Sequence, residues 1–155
     1  MSINIGIDDN GRKSIAEGLK VLLADTYSLY LKTQNYHWNV TGPLFKSLHD
    51  MTEDQYTALA TANDDIAERI RQLGVKAPGS YKAYGEMTAI ADGDEDKDAQ
   101  GMAAELAADH ETVVRRIRPL QETADKAGDN ATVALLDDRL NEHEEAAWML
   151  RSLAS

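Results

Sequence analysis

The chain has no cysteine, only three prolines and ten glycines in 155 residues, and no long apolar run. Without cysteine there are no disulfides, thiolate nucleophiles or cysteine-based zinc sites, so any metal must be held by nitrogen and oxygen donors. Met1 to Asn10 has no apolar stretch, and the densest aliphatic run, Val21 to Ala24, is too short to enter a bilayer. A soluble cytoplasmic protein with no membrane association is therefore expected. Basic residues are also few, 16 Lys and Arg against 27 Asp and Glu, giving a net charge of −11. A broad phosphate-binding surface needs clustered cations, so cations are the more natural partners of this chain. The excess acid also serves solubility, and charge alone does not identify a function.

What is present is helical periodicity. The length is that of one domain, and a hydrophobic content of 43% fills one core, so residues 1–155 are read as a single domain. Apolar residues recur three and four apart along four long segments, and the sparse Pro and Gly fall mostly between them. The first helix is expected from about Arg12 to Trp38, with Asn10 or Ser14 near its start and Ile15, Leu19, Leu22, Leu29 and Tyr36 inward. Pro43 suits the first turn of a second helix, which runs through Phe45, Leu48, Leu59, Ile66 and Ile70 to a stop at Gly74. Residues 75–101 form a long connection, in which Tyr84 to Ala91 is expected as a short helix. A third helix, about Asp96 to Gln121, places Met102, Leu106, Val113, Ile117 and Leu120 on one stripe, with Pro119 kinking or ending it. A fourth, about Asp129 to Leu153, is capped by Asp129 and buries Val133, Leu136, Leu140, Ala147 and Leu150. Four helices and one long crossover describe an all-α, ferritin-like four-helix bundle.

On a wheel of the second helix, Phe45, Leu48, Thr52, Leu59, Ile66, Ile70 and Leu73 share one arc, the core. Beside it runs a second stripe carrying His49, Glu53, Thr57, Ala60, Asp64 and Glu68. His49 with Glu53, and Asp64 with Glu68, are spaced four apart, which lets two side chains reach one ion. Imidazole with carboxylates suits iron, and also manganese, zinc or copper. Each pair taken singly is more simply a solvated face, or, for His49, a satisfied residue beside the apolar stripe. His49 and Glu68 lie about 28 Å apart along one helix, too far to share a metal within it. The four positions are, however, symmetric about the midpoint between residues 58 and 59. An antiparallel copy of the helix crossing there sets His49 opposite the second copy's Glu68, and Glu53 opposite its Asp64, so a two-fold dimer makes two equal sites. The small residues Ala58, Ala60, Thr61 and Ala62 at the midpoint permit close approach. No Glu-x-x-His motif precedes His37, His49, His110 or His143, so the usual di-iron centre inside one bundle is not expected.

The sequence resembles the Dps family, the mini-ferritins named as DNA-binding proteins from starved cells. The match is carried by His37-Trp38-Asn39-Val40 with Gly42, by Leu48-His49, and by Asp64 through Glu68-Arg69-Ile70 to Leu73-Gly74. The resemblance implies Fe(II) oxidation, preferentially by hydrogen peroxide, and storage of Fe(III) in a hollow dodecamer, protecting against oxidative stress. It implies His37, His49, Glu53, Asp64 and Glu68 as metal ligands, with the Asp and distal Glu supplied by the two-fold partner. Glu53 stands where many relatives have Asp. Trp38 would pass an electron or quench radicals, with aromatic packing as the competing account. Asp50 and Asp54 would nucleate mineral, and Asp125 and Asp129 would line an iron entrance, against the competing accounts of solvating acids and a helix cap. Relatives that condense DNA do so with a lysine-rich terminal extension, whereas residues 1–14 offer Arg12 and Lys13 against Asp8 and Asp9, so DNA binding is not expected. The alternative is a non-catalytic protective or DNA-packing protein of the same family.

Overall fold

A computed structural model describes all 155 residues. It contains five helices and no strand: α1 (Asp9–Asn39), α2 (Phe45–Gln72), α3 (Tyr81–Met87), α4 (Ala99–Lys126) and α5 (Asn130–Ala154). The four long helices form the bundle. α1 packs chiefly on α2 and α4 on α5, the two hairpins meet through α1 and α4, and α2 touches α4 and α5 only lightly. The connection from α2 to α4 carries α3, which packs on α1. No helix is long and apolar enough to cross a membrane.

Every inward residue expected of α1 and α4 is buried, and in α5 only Val133 is half-exposed. The ends differ from the sequence expectation for local reasons. Asp8, rather than Asn10 or Ser14, caps α1, its carboxylate accepting the Gly11 N–H at 2.7 Å. Pro43 lies in the turn before α2 rather than in its first turn: Gly42 takes φ +92 and the Phe45 N–H donates to the Gly42 carbonyl. Phe45, expected in the core, is 41% exposed and stacks on His49 instead. Ser80 caps the short helix, so α3 begins at Tyr81, three residues ahead of the expected element, and is over by Met87, four residues ahead of its expected end. Asp98 caps α4, so that helix begins at Ala99 rather than Asp96. Pro119 does not end α4, which continues to Lys126 because Leu120 and Ala124, on the turn after it, remain packed in the core. Ala62, expected on the outer face, is 2% exposed within its own bundle.

The crossover is fastened by ion pairs that reach into the bundle. Asp25 is fully buried and accepts from the Ala89 N–H at 2.8 Å, the Thr88 hydroxyl at 3.0 Å and the Arg116 guanidinium at 2.7 Å. Lys32, 3% exposed, bridges Glu105 and Asp109 of α4, and Lys97 pairs with the same Glu105. A buried charge lacking such partners costs several kcal/mol, about 3–5 when one member of a pair is removed, so these contacts fix the path of residues 88–98. That path matters to the site because the same α1 that carries Asp25 and Lys32 bears His37 in its last turn.

Candidate metal centre

His37 lies in the last turn of α1 and His49 in the second turn of α2, so the short turn between the helices folds the two imidazoles face to face. Their ring centroids are 3.8 Å apart with the planes 13° from parallel. Each ring donates through Nδ1 to the other residue's backbone carbonyl: His37 Nδ1 to His49 O at 2.7 Å, and His49 Nδ1 to His37 O at 2.8 Å. A carbonyl only accepts, so the proton of each neutral ring is fixed on Nδ1 and its lone pair on Nε2. Backbone carbonyls that orient imidazoles in this way are the usual outer support of histidine metal ligands. His37 is 6% exposed and His49 is half-buried.

The carboxylates lie elsewhere on the same helix. Glu53, Asp64 and Glu68 are all exposed on α2, as are Ala58, Ala60 and Thr61 between them. The protomer brings no three His, Asp or Glu side chains into a metal-holding group. One chain thus presents a prepared imidazole pair, with Glu53 one turn on, at one end of a stripe and the bare carboxylates of Asp64 and Glu68 at the other. Asp50 is exposed and pairs with Lys46 at 3.1 Å, and Asp54 is exposed on the α2 rim of a cleft facing α5. Trp38 is 63% exposed. Asp129 is 2% exposed; its carboxylate caps α5 through the Thr132 N–H at 3.0 Å and accepts Arg69 Nη2 at 2.6 Å. That is the geometry of the helix cap.

The sequence reading passed over a second histidine pair. His110 of α4 and His143 of α5 are buried at the floor of a cleft of about 520 Å³ between α2, α4 and α5. Arg139 Nη2 donates to His143 Nε2 at 3.2 Å, which places the His143 proton on Nδ1, and that proton is donated to His110 Nδ1 at 2.8 Å. The His110 proton is then on Nε2, which is buried without a partner. Both lone pairs are engaged and a guanidinium stands beside them, so this pair is not a cation site. Burial, with Arg139 second, pushes His110 down to about 3. Burial, then His110 and Arg139, holds His143 well below its usual value too. The only sequence signal for the pair was the core spacing of His110 from Leu106 and Val113 and of His143 from Leu136, Leu140 and Ala147.

The bundle, the crossover and the paired imidazoles place the chain in a class, and comparison with known proteins agrees. A family model described as a ferritin-like domain matches residues 16–155. A low temperature-induced protein of Nostoc is 41% identical over 152 residues, covering 97% of this chain and 85% of that protein. DNA protection during starvation protein 2 of Bacillus anthracis is 36% identical over 140 residues, covering 90% of this chain and 96% of that protein. The crystal structure of the Dps protein of Vibrio cholerae, described as a member of the ferritin-like diiron-carboxylate superfamily, superposes with a TM-score of 0.94 at 31% identity. It covers 100% of this chain and 98% of the other. The chain belongs to the Dps family of ferritin-like proteins.

Proposed function

We propose that this chain is the subunit of an iron-storing mini-ferritin that oxidises Fe(II), preferentially with hydrogen peroxide, at sites shared between two-fold partners. The Fe(III) product is then held within a hollow dodecamer. The observation that carries the reading is the locked His37–His49 pair: two Nε2 lone pairs are presented, with Glu53 one turn along α2, and the protomer gathers no complete metal-holding group around them. The exposed stripe of Glu53, Asp64 and Glu68 is symmetric with His49 about the small residues near 58 and 59, so a second copy would bring its Asp64 and Glu68 to the imidazole pair.

In this reading His37, His49 and Glu53 of one protomer, with Asp64 and Glu68 of its partner, hold the ferrous substrate. Carboxylates offset its charge and stabilise the ferric product more than the ferrous one, since the harder ion prefers oxygen donors. Two ferrous ions give up one electron each; hydrogen peroxide takes both electrons with two protons and leaves as two waters. No hydroxyl radical is released, which is the protective value of the chemistry. Asp50 and Asp54, exposed on α2, would nucleate the ferric mineral. With Asp129 held in its cap, an entrance role before α5 would rest on the exposed Asp125. Relatives bear names that speak of DNA protection, but an acidic assembly repels phosphate, and the reading assigns no DNA binding at physiological salt. Mixing apoprotein with Fe(II) and peroxide tests the function. The double change Asp64→Asn with Glu68→Gln should bring oxidation down to the rate in buffer, and an unchanged rate would refute the assignment.

A further inference from the structure

Five of the six tyrosines form one row of neighbouring rings that begins at the imidazole pair. Tyr56 of α2 meets the His37 ring edge to face, with centroids 5.2 Å apart. Tyr30 of α1 meets Tyr56 at 6.1 Å, and Tyr27, one turn back, meets Tyr30 at 5.6 Å. Tyr27 then stacks on Tyr84 of α3 at 5.0 Å and meets Tyr81 at 6.3 Å. The row crosses three helices and ends at Tyr81, which is 76% exposed. Trp38, although next in sequence to His37, joins no ring pair.

Packing alone does not ask for phenols here. Ring pairs at these separations work as well with phenylalanine, yet the chain has one Phe against six Tyr, and that Phe stacks on His49, outside the row. In two of the five the phenol oxygen also makes a hydrogen bond, Tyr84 donating to the Pro78 carbonyl at 2.8 Å and Tyr30 accepting from Gln34 Nε2 at 3.1 Å; what phenol adds along the whole row is an electron and a proton that can leave together. Burial raises Tyr27 and Tyr84 above the ordinary phenol value, so each keeps its proton at neutral pH until the ring is oxidised.

We propose that this tyrosine row supplies the metal site with single electrons when peroxide meets one Fe(II) instead of two. The inference rests on the ferroxidase reading above. A lone ferrous ion gives peroxide one electron, leaving hydroxide and an oxidant of hydroxyl-radical strength one electron short of water. Tyr56 supplies that electron with its proton. Altogether Fe(II), hydrogen peroxide and the phenol of Tyr56 become Fe(III), hydroxide, water and a tyrosyl radical. Tyr30 then reduces Tyr56, Tyr27 reduces Tyr30, and Tyr81 reduces Tyr27, directly or through Tyr84; each phenol returns its proton to water as it is oxidised and regains one as it is reduced. At Tyr81 a diffusible one-electron reductant of the ascorbate class closes the sequence by giving an electron and a proton. The row thereby moves the oxidising equivalent away from the ligands that would otherwise be damaged.

Freeze-quench electron paramagnetic resonance on assembled protein, loaded with about one Fe(II) per site and then mixed with peroxide, tests this. Wild type should show a tyrosyl signal that ascorbate removes. Tyr56→Phe should lower that signal roughly fivefold or more and raise the hydroxyl-radical adduct of a spin trap by a similar factor. Tyr27→Phe, which cuts the row between Tyr30 and α3, should keep the signal, slow its removal by ascorbate roughly fivefold, and leave the Fe(II) oxidation rate at the wild-type value. An undiminished tyrosyl signal and an unchanged spin adduct in Tyr56→Phe would overturn the proposal, as would a tryptophanyl signal in its place, which assigns the electron to a tryptophan instead of the row. If wild-type protein oxidises Fe(II) no faster than buffer, the ferroxidase reading itself fails and takes this inference with it; normal ferroxidation without any protein radical defeats the row alone.

Discussion

Acidification to about pH 5 stresses one place in the bundle in a way that can be worked through. His110 is 2% exposed and is held by its single hydrogen bond to His143, with Arg139 behind it and with Asp54, Glu142 and Glu145 lining the cleft above. Its folded pKa is pushed down to about 3 from an unfolded value of 6.5, so the unfolded chain binds this proton first. The contribution to stability is present above pH 6.5 and is lost progressively as the pH falls toward 3. At about pH 5 the unfolded chain has gained roughly 1.5 pH units of proton binding that the folded chain lacks, or about 2 kcal/mol at 1.36 kcal/mol per unit. For a domain of this size that corresponds to a fall of roughly 4–8 °C in Tm. His143, depressed in the same direction, adds to the loss. The assay is urea unfolding at fixed protein concentration, at about pH 7.5 and about pH 5, of wild type and of His110→Gln, which cannot charge. The wild type should lose about 2 kcal/mol more than the variant between the two conditions. Equal losses, or a His110 imidazole that titrates near its ordinary value by NMR, would refute the reasoning.

Asp129→Ala removes the α5 cap and the carboxylate partner of the Arg69 guanidinium, and should cost roughly 2–4 kcal/mol in thermal or urea unfolding, whereas Asp129→Asn, which still caps, should cost about half as much. Ala60→Arg places a long cation on the exposed face of α2 near the proposed two-fold crossing. Particle mass by light scattering should fall while helical circular dichroism stays at the wild-type level, and an unchanged mass would argue against that crossing. In a gel-shift at moderate salt without added divalent metal, duplex DNA should run free, since each chain carries a net charge of −11; a retarded band would overturn that expectation.

The helical stripes were legible because burial in a bundle repeats with the period of the helix: Leu19, Leu22, Leu29 and Tyr36 declare their face by spacing alone. The same arithmetic isolated His49, Glu53, Asp64 and Glu68 beside the core and showed that one helix cannot close a site with them. Helix ends were less legible, because a cap depends on which side chain meets which orphan N–H: Asp8, Ser80 and Asp98 were chosen over equally suitable neighbours. Pro119 misled because a missing hydrogen bond is a local cost, and packing of Leu120 and Ala124 outweighs it.

The sequence by itself therefore determined the all-helical bundle and the absence of any cysteine ligand, and it supplied the stripe on which the proposed metal site rests, since all of these follow from composition and period. Only the tertiary structure decided the reciprocal Nδ1-to-carbonyl bonds of His37 and His49, the buried Arg139–His143–His110 relay, the charges that pin the crossover and the tyrosine row. Each of these joins side chains from different helices, and their distances are set by how the helices pack, a quantity that no spacing along one helix contains.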